Sequence, residues 1–227
     1  MTQIKDAVAL VTGGNRGLGR AFVDQLLEKG ASKVYATSRT AVEFNDERIV
    51  NIILDLNNSD SIATLAEQVP DVRIVVNNAG IIGKSVLESS NEDVRSIFET
   101  NVLGPIQVMQ SLAPVLEKNG GGVFINVGSA LSWVPSGVYG ATKAALWSVS
   151  NALREELKVQ NIQVTSLHVG YMDTDMVKEV DAPKSNPQQV AATTLEDAEN
   201  GKSEVLFDDA AKYAKSLASG QVDELHF

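Results

Sequence analysis

The chain contains no cysteine. Disulfides and thiolate chemistry are therefore excluded, and a reducing compartment is compatible with the composition. Positive charge is also scarce: 19 lysine and arginine residues face 29 acidic ones, a formal net charge of -10. That balance argues against a nucleic-acid partner, which needs clustered cations to neutralise phosphates. Only a local basic patch is left to hold an anion. No apolar run approaches the roughly 20 residues of a membrane span. The opening MTQIKDAVALVTGG has no charged leader ahead of an apolar stretch and a small-residue cleavage site. The closing DELHF is not a retention signal, because such a signal must be terminal. Cytoplasmic residence with no membrane partner is expected. No repeat, low-complexity tract or long linker divides residues 1–227, and no metal site is evident.

What the chain does have is rhythm. Its 227 residues, 44% hydrophobic and 21% charged, suit one α/β domain with a sizeable core. Strand-like runs are AVALVT (7–12), KVYATS (33–38), IVNIILDL (49–56), VRIVVNN (72–78), GVFINV (122–127), IQVTSLHV (162–169) and EVLF (204–207). Most are continuously apolar or β-branched, as expected of strands covered on both faces of a parallel sheet. Amphipathic stretches at 18–29, 59–68, 91–118, 139–160 and 208–218 lie among them, with Gly30 and Pro70 as stop signals. The alternation predicts a Rossmann-type doubly wound parallel sheet of seven strands, with helices on both faces, in a single domain. Residues 170–200, with Pro183 and Pro187, break the pattern where a substrate lid would sit.

The first strand runs directly into TGGNRGLGRAF. Gly13 permits a tight turn, and Gly17 and Gly19 let backbone and helix approach closely. The N–H groups that open the helix, around Asn15, Arg16, Gly17 and Leu18, then face an anion such as a pyrophosphate. The G-x-x-x-G-x-G spacing resembles that of the short-chain dehydrogenase/reductase family, and the likeness extends over nearly the whole chain. It implies an oxidoreductase that moves hydride between a nicotinamide dinucleotide and a carbonyl or secondary alcohol. It also assigns Asp55 and Leu56 to the adenine ring and the NNAG run at 77–80, with Asn77, Ala79 and Gly80, to the cofactor path. Thr174 falls where the family contacts the nicotinamide carboxamide.

Charge indicates which dinucleotide. An acid at the end of the second strand would accept from the ribose hydroxyls and repel a 2′-phosphate. Here that end carries Ser38 and Arg39, and Arg16 lies in the glycine loop on the same side. Two guanidiniums and a hydroxyl suit a 2′-phosphate, so NADP(H) is preferred over NAD(H).

The stretch SGVYGATKAALWSVS sets Tyr139 and Lys143 one helical turn apart, ahead of an apolar stripe of Ala144, Ala145, Val149, Ala152 and Leu153. In the family, the tyrosine of Y-x-x-x-K is the acid or base acting on the substrate oxygen. A free phenol, with a pKa of about 10, is a poor base at neutral pH. A neighbouring ammonium and a positive nicotinamide would lower that value. Lys143 would also hold the nicotinamide ribose. By resemblance, Ser129 orients the substrate oxygen and Asn101 holds a proton-relay water. Gly104 and Pro105 should make the surrounding helix irregular there.

Two departures from the family pattern stand out. Ser129 and Tyr139 are only ten positions apart, closer than the family usually has them, which makes Ser132 a rival for the orienting role and draws Trp133 toward the substrate. After the sixth strand, the usual Pro-Gly is Val169-Gly170. His168, just before, reads as a structural residue rather than an acid–base group. With Tyr171, Met172 and Met176, Trp133 and Val134 outline an apolar pocket that suits small hydrophobic aldehydes or ketones, the work of a carbonyl reductase or alcohol dehydrogenase. A homodimer or homotetramer is the expected assembly. A non-catalytic dinucleotide-binding regulator would have little reason to keep serine, tyrosine and lysine together. A nucleotide-sugar epimerase or dehydratase would carry a larger C-terminal substrate domain. The cofactor reading is testable: Arg39→Asp should shift preference toward NAD(H), and an unchanged ratio of NADPH to NADH affinities would refute it.

Overall fold

The computed structural model describes residues 2–218; the closing DELHF and the ends of the 1–227 span fall outside the described residues. Seven strands form one sheet in the order β3-β2-β1-β4-β5-β6-β7, with every neighbouring pair parallel. They are β1 (Val8–Val11), β2 (Lys33–Ser38), β3 (Ile49–Ile53), β4 (Ile74–Asn77), β5 (Gly122–Val127), β6 (Ile162–His168) and β7 (Glu204–Leu206). Strand order reverses between β1 and β4, which opens a crevice at their C-terminal ends.

Both faces of the sheet are buried, and β5 shows why its sequence reads as one apolar run. Val123, Ile125 and Val127 point into a core shared with α1 (Gly17–Glu28) and α7 (Pro187–Glu199). Phe124 points the other way, toward Leu112 and Leu116 of α5 (Gly104–Lys118). A period of two with apolar residues in both registers is what a doubly covered strand requires.

Several boundaries differ from the sequence expectation. The 59–68 stretch divides into α2 (Ser59–Ala63) and α3 (Leu65–Gln68). The 91–118 stretch is α4 (Asn91–Phe98), a π turn over Glu99–Leu103, and then α5. The expected irregularity is thus present, just before Gly104. A Cβ on Gly104 would lie 2.8 Å from the Leu56 Cβ, so only glycine lets the helix come this close. Pro105 offers no N–H to the carbonyls one turn earlier. Helix α6 starts at Gly137 and ends at Glu156. Its fully buried face is Val138, Thr142, Lys143, Leu146 and Ser150; of the expected stripe, Val149 and Leu153 pack on the core, Ala144 and Ala145 are half-buried, and Ala152 is exposed.

The largest correction concerns residues 170–200. Pro187 does not break a helix there; it is the first residue of α7, and the Asn186 side chain accepts from the N–H groups of Gln188 (2.8 Å) and Gln189 (3.3 Å). Proline costs nothing at that position, because its missing N–H would have had no helical partner. Val190, Ala191, Thr194, Leu195 and Ala198 are the buried positions, a helical spacing that the proline masked. Helix α8 (Asp209–Leu217) closes the described chain. Asn186→Ala removes both capping bonds and should cost about 1 kcal/mol. That corresponds to a thermal midpoint about 2–4 °C lower, and calorimetry showing no shift would mean the cap carries no stability.

Candidate active site

At the crevice, the glycine loop is held by polar residues that the sequence reading did not single out. Thr12 Oγ1 accepts from the N–H groups of Asn78 (2.9 Å) and Ala79 (3.0 Å). Asn78 Nδ2 returns a bond to the Thr12 carbonyl, 2.9 Å. This pair locks the end of β1 to the end of β4. The available signal was a polar residue closing each of two apolar strands at the switch point.

Gly13 and Gly17 adopt φ of 65° and 55°, the left-handed region that glycine occupies without strain. A Cβ on Gly19 would run into the Gly13 carbonyl. Asn15, Arg16 and Gly17 are exposed, whereas Leu18 points into the core and offers only its backbone. Helix α1 has no side-chain cap and no acid in its first turn, so its first N–H groups remain available to an anion. Thr174 faces Gly17, where an added Cβ would lie 3.6 Å from Thr174 Cγ2.

At the end of β2, Ser38 is buried. Its hydroxyl donates to the Thr40 carbonyl (2.7 Å) and accepts from Asn51 Nδ2 (2.9 Å). Ser38 therefore shapes the turn, and the positive charge comes from exposed Arg39 and from Arg16. The Arg16 guanidinium lies 3.7 Å from Asp175 with both groups mostly in solvent, a weak pairing. Asp55 holds its own turn by accepting from the Asn57 N–H at 3.0 Å, while Leu56 is buried beneath Gly104.

Deeper in the crevice, Asn77 Nδ2 donates to Asn126 Oδ1 across β4 and β5, 2.9 Å. Asn126 in turn donates to Ser150 of α6, 2.8 Å. Asn101 sits in the π turn: Oδ1 accepts from the Ile81 N–H, and Nδ2 donates to the Ile81 carbonyl and to Thr142 Oγ1. Its amide thus clamps the β4–α4 loop to α6. Both amide protons are used, while Oδ1 keeps one lone pair free. Gly80 completes this corner. A Cβ there would lie 3.2 Å from Asn101 Oδ1 and 3.7 Å from Lys143 Nζ.

The structure brings Ser129, Tyr139 and Lys143 together. Ser129 follows β5, and its hydroxyl accepts from the Leu131 N–H at 3.1 Å while lying near enough to the Tyr139 phenol to favour its ionised form. Ser132 lies in the 3-10 turn Ala130–Ser132, and its buried hydroxyl has no partner among the described residues. The short wall closes by tight packing. Ser136 Oγ donates to the carbonyls of Leu131 and Val134, 2.9 Å each, and Gly140 leaves room for it.

Two expectations are corrected here. Trp133 does not face the crevice. It is buried behind the wall, against His168 (ring centroids 4.2 Å apart), Trp147 and the alanines of α8. Met172 likewise packs on the core, leaving Tyr171 exposed. The second correction is electrostatic. Burial pushes the Tyr139 phenol up to about 12, opposed only by the Ser129 hydrogen bond. Lys143 does not offset this. Its Nζ bonds the Val127 carbonyl at 2.8 Å, lies 5.6 Å from the centre of the phenol ring, and is itself pulled down to about 8 by burial. The chain alone therefore keeps Tyr139 protonated, in the form of an acid.

The segment after β6 is anchored by Asp208, a residue the sequence reading passed over. Its carboxylate caps α8 and accepts from the Gly170 N–H (3.0 Å) and from Ser185 Oγ (3.0 Å). Among the described residues, no cluster suited to a metal ion occurs and no helix is long and apolar enough to cross a membrane.

A doubly wound sheet, an uncapped glycine turn at its switch point and a serine–tyrosine–lysine group in which Ser129 and Lys143 are buried and Tyr139 half-buried define a dinucleotide-dependent oxidoreductase as the class. Comparison with known proteins makes this specific. Residues 7–185 match the short chain dehydrogenase family, and the chain belongs to it. A 3α-hydroxysteroid dehydrogenase of Mediterraneibacter gnavus is 32% identical over 192 residues, 77% of each chain. A short chain dehydrogenase from Burkholderia cenocepacia, solved in complex with NADP, is 34% identical with a TM-score of 0.90, covering 96% of this chain and 95% of that one. A Burkholderia phymatum relative, solved in complex with NAD, shares the fold at 21% identity, with a TM-score of 0.84 over 96% of this chain and 94% of that one.

Burying the Lys143 ammonium has a measurable cost. Its folded pKa of about 8 lies below the ordinary 10.5, so the unfolded chain binds more protons between those values and stability rises with pH across that window. Below pH 8 the cost is on the order of 3 kcal/mol. Lys143→Met should therefore raise the denaturation midpoint at pH 7, with the gain shrinking from pH 8 to pH 10. A methionine variant no more stable at pH 7 would show that the ammonium is better accommodated than this.

Proposed function

We propose that the protein is an NADP(H)-dependent carbonyl reductase, working on small hydrophobic aldehydes or ketones. The observation that carries the reading is the grouping of Ser129, Tyr139 and Lys143 at the C-terminal end of β5, where the Lys143 ammonium bonds the Val127 carbonyl and lies 5.6 Å from the centre of the phenol ring. A protonated Tyr139 suits the reductive direction, in which the substrate oxygen must gain a proton.

The residues fit a dinucleotide: Gly80 leaves a gap beside Lys143 and Asn101 that any side chain would fill, and the first turn of α1 is uncapped. The glycine loop from Gly13 to Gly19 would hold the pyrophosphate, Arg16 and Arg39 the 2′-phosphate, and Lys143 the nicotinamide ribose. When bound, the cofactor supplies the hydride that goes to the carbonyl carbon. Tyr139 gives its phenolic proton to the carbonyl oxygen as charge develops there, and Ser129 donates a hydrogen bond to the same oxygen. The phenolate left behind is stabilised by Ser129. It is reprotonated from solvent through Lys143 and a water held at the π turn around Asn101.

Exposed apolar side chains support the substrate class. Ile82, Val86 and Leu87 follow the NNAG run, and Tyr171 and Met176 follow β6, so the mouth of the crevice is apolar on two sides. Self-association through α5 and α6 is proposed on the small exposed residues Ala141, Ser148 and Ala152, and cytoplasmic residence on the composition. A panel of aldehydes and ketones, followed by NADPH consumption, tests the activity. Tyr139→Phe should lower kcat by about 10²–10⁴-fold with the Kd for NADPH unchanged; wild-type turnover in that variant would end the proposal.

A further inference from the structure

Behind Ser129 lies a buried titratable group with no part in the chemistry above. His168 ends β6 and is fully buried. Its Nδ1 lies 3.1 Å from the Ser129 carbonyl oxygen. That oxygen also accepts from the Ser132 N–H at 3.1 Å, so both its lone pairs are in use. The imidazole rests on the Gly128 backbone, where an added Cβ would lie 2.8 Å from Nδ1 and Cε1. Trp133 covers its other side at 4.2 Å. The ring is fixed in place by these contacts.

The neighbours also determine where its proton sits. Nε2 has no hydrogen-bond partner among the described residues and is 3.8 Å from Glu204 Oε1 on β7. The charged groups around the ring are Glu204, Lys215 of α8 and Lys143 of α6. Glu204 Oε1 is already served by Lys215 Nζ at 2.9 Å and Trp147 Nε1 at 3.0 Å. Burial pushes His168 down to about 4, so the ring is neutral at pH 7 and carries one N–H. Of the two acceptors in reach, the Ser129 carbonyl is at bonding distance and the Glu204 oxygen is not.

We infer that His168 is a positioning residue for Ser129: its Nδ1–H holds the Ser129 carbonyl and so sets where the Ser129 hydroxyl meets Tyr139. This rests on the orienting role proposed for Ser129. The need arises from the short wall. Ser129 caps the 3-10 turn that begins at Ala130, and its carbonyl is held within the turn by the Ser132 N–H alone. The segment is tied to β6 on either side by Gly128 N–H to the Leu167 carbonyl (2.7 Å) and Ala130 N–H to the Val169 carbonyl (3.0 Å); the lateral donor from His168 fixes the one carbonyl between them.

The test uses 4-nitrobenzaldehyde and cyclohexanone as probes, with NADPH oxidation and the NADPH Kd measured side by side. His168→Leu should lower kcat about tenfold, the effect of one lost hydrogen bond on a positioned group, with the Kd for NADPH unchanged. His168→Asn, which keeps a donor near the Nδ1 position, should recover most of that loss. On a Ser129→Ala background, His168→Leu should cause no further loss, because the group it positions is gone. Wild-type kcat in His168→Leu, an additive loss on Ser129→Ala, or an asparagine variant no better than leucine would overturn the inference. Full turnover in Ser129→Ala alone would instead strike the role of Ser129 itself. Should the substituted chains fail to fold, two-bond ¹H–¹⁵N correlation on the wild-type protein decides: the Nδ1–H tautomer is expected, and an Nε2–H tautomer refutes the positioning bond.

Discussion

A positive charge is buried at the centre of this molecule without an acid to meet it. Lys143 Nζ bonds a neutral carbonyl, that of Val127, at the C-terminal end of β5. The arrangement is unfavourable for folding and would be improved by any apolar side chain of similar length. Around this cost the site is organised. Gly80 is bare so that its neighbourhood stays open, Asn101 braces the adjoining loop, and α6 is fixed to the sheet through Ser150 and Asn126. A residue kept against the interest of stability is expected where function demands it. On the proposed function, the demand is for a cation that shares a corner with a phenol and a ribose.

The same burial that weakens Lys143 also raises Tyr139, and the two effects complement each other. Desolvation disfavours the charged form of each group, leaving a neutral phenol and an ammonium that readily gives up its proton. A pair of this kind can pass a proton outward to the substrate oxygen and then be refilled from solvent. A phenol lowered by a strong neighbouring charge would favour the reverse, taking a proton from an alcohol. A dry corner of this kind is compatible with the direction proposed above, which the motif does not select. Y-x-x-x-K is compatible with both directions.

That distinction marks where the sequence was legible. The strands could be read because a doubly covered sheet writes both faces into one short run, as in VFINV of β5. The glycine loop and the tyrosine–lysine pair could be read because local geometry dictates their spacing. Helix α7 was not legible: a proline at its first position looks like an interruption unless Asn186 is recognised as a cap. In the apolar stripe of α6, Val149 and Leu153 do pack on the core, while Ala152 misled because alanine fits a face turned to solvent as readily as one turned to the core. Trp133 misled for a different reason. A three-residue 3-10 turn has no periodicity from which to infer a direction, and only the seat formed by Trp147, His168 and Lys215 determines where the indole goes. Thr12, Asn78 and Asp208 act by joining segments distant in sequence, and no local pattern signals that.

The shortened link between Ser129 and Tyr139 shows how these levels combine. Fewer residues must span the same gap between the end of β5 and the start of α6. The chain answers with a 3-10 turn, a left-handed Gly137 with φ of 69°, and a Gly140 that admits the Ser136 hydroxyl. A wall built this tightly has little bulk of its own, and Trp133 leaves the crevice to fill the space behind. The exposed apolar side chains near this wall belong instead to the Ile82–Leu87 stretch and to the span after β6 anchored at Asp208. On the proposed function, the reacting groups are held from behind by the packed wall, and selectivity falls to these two segments.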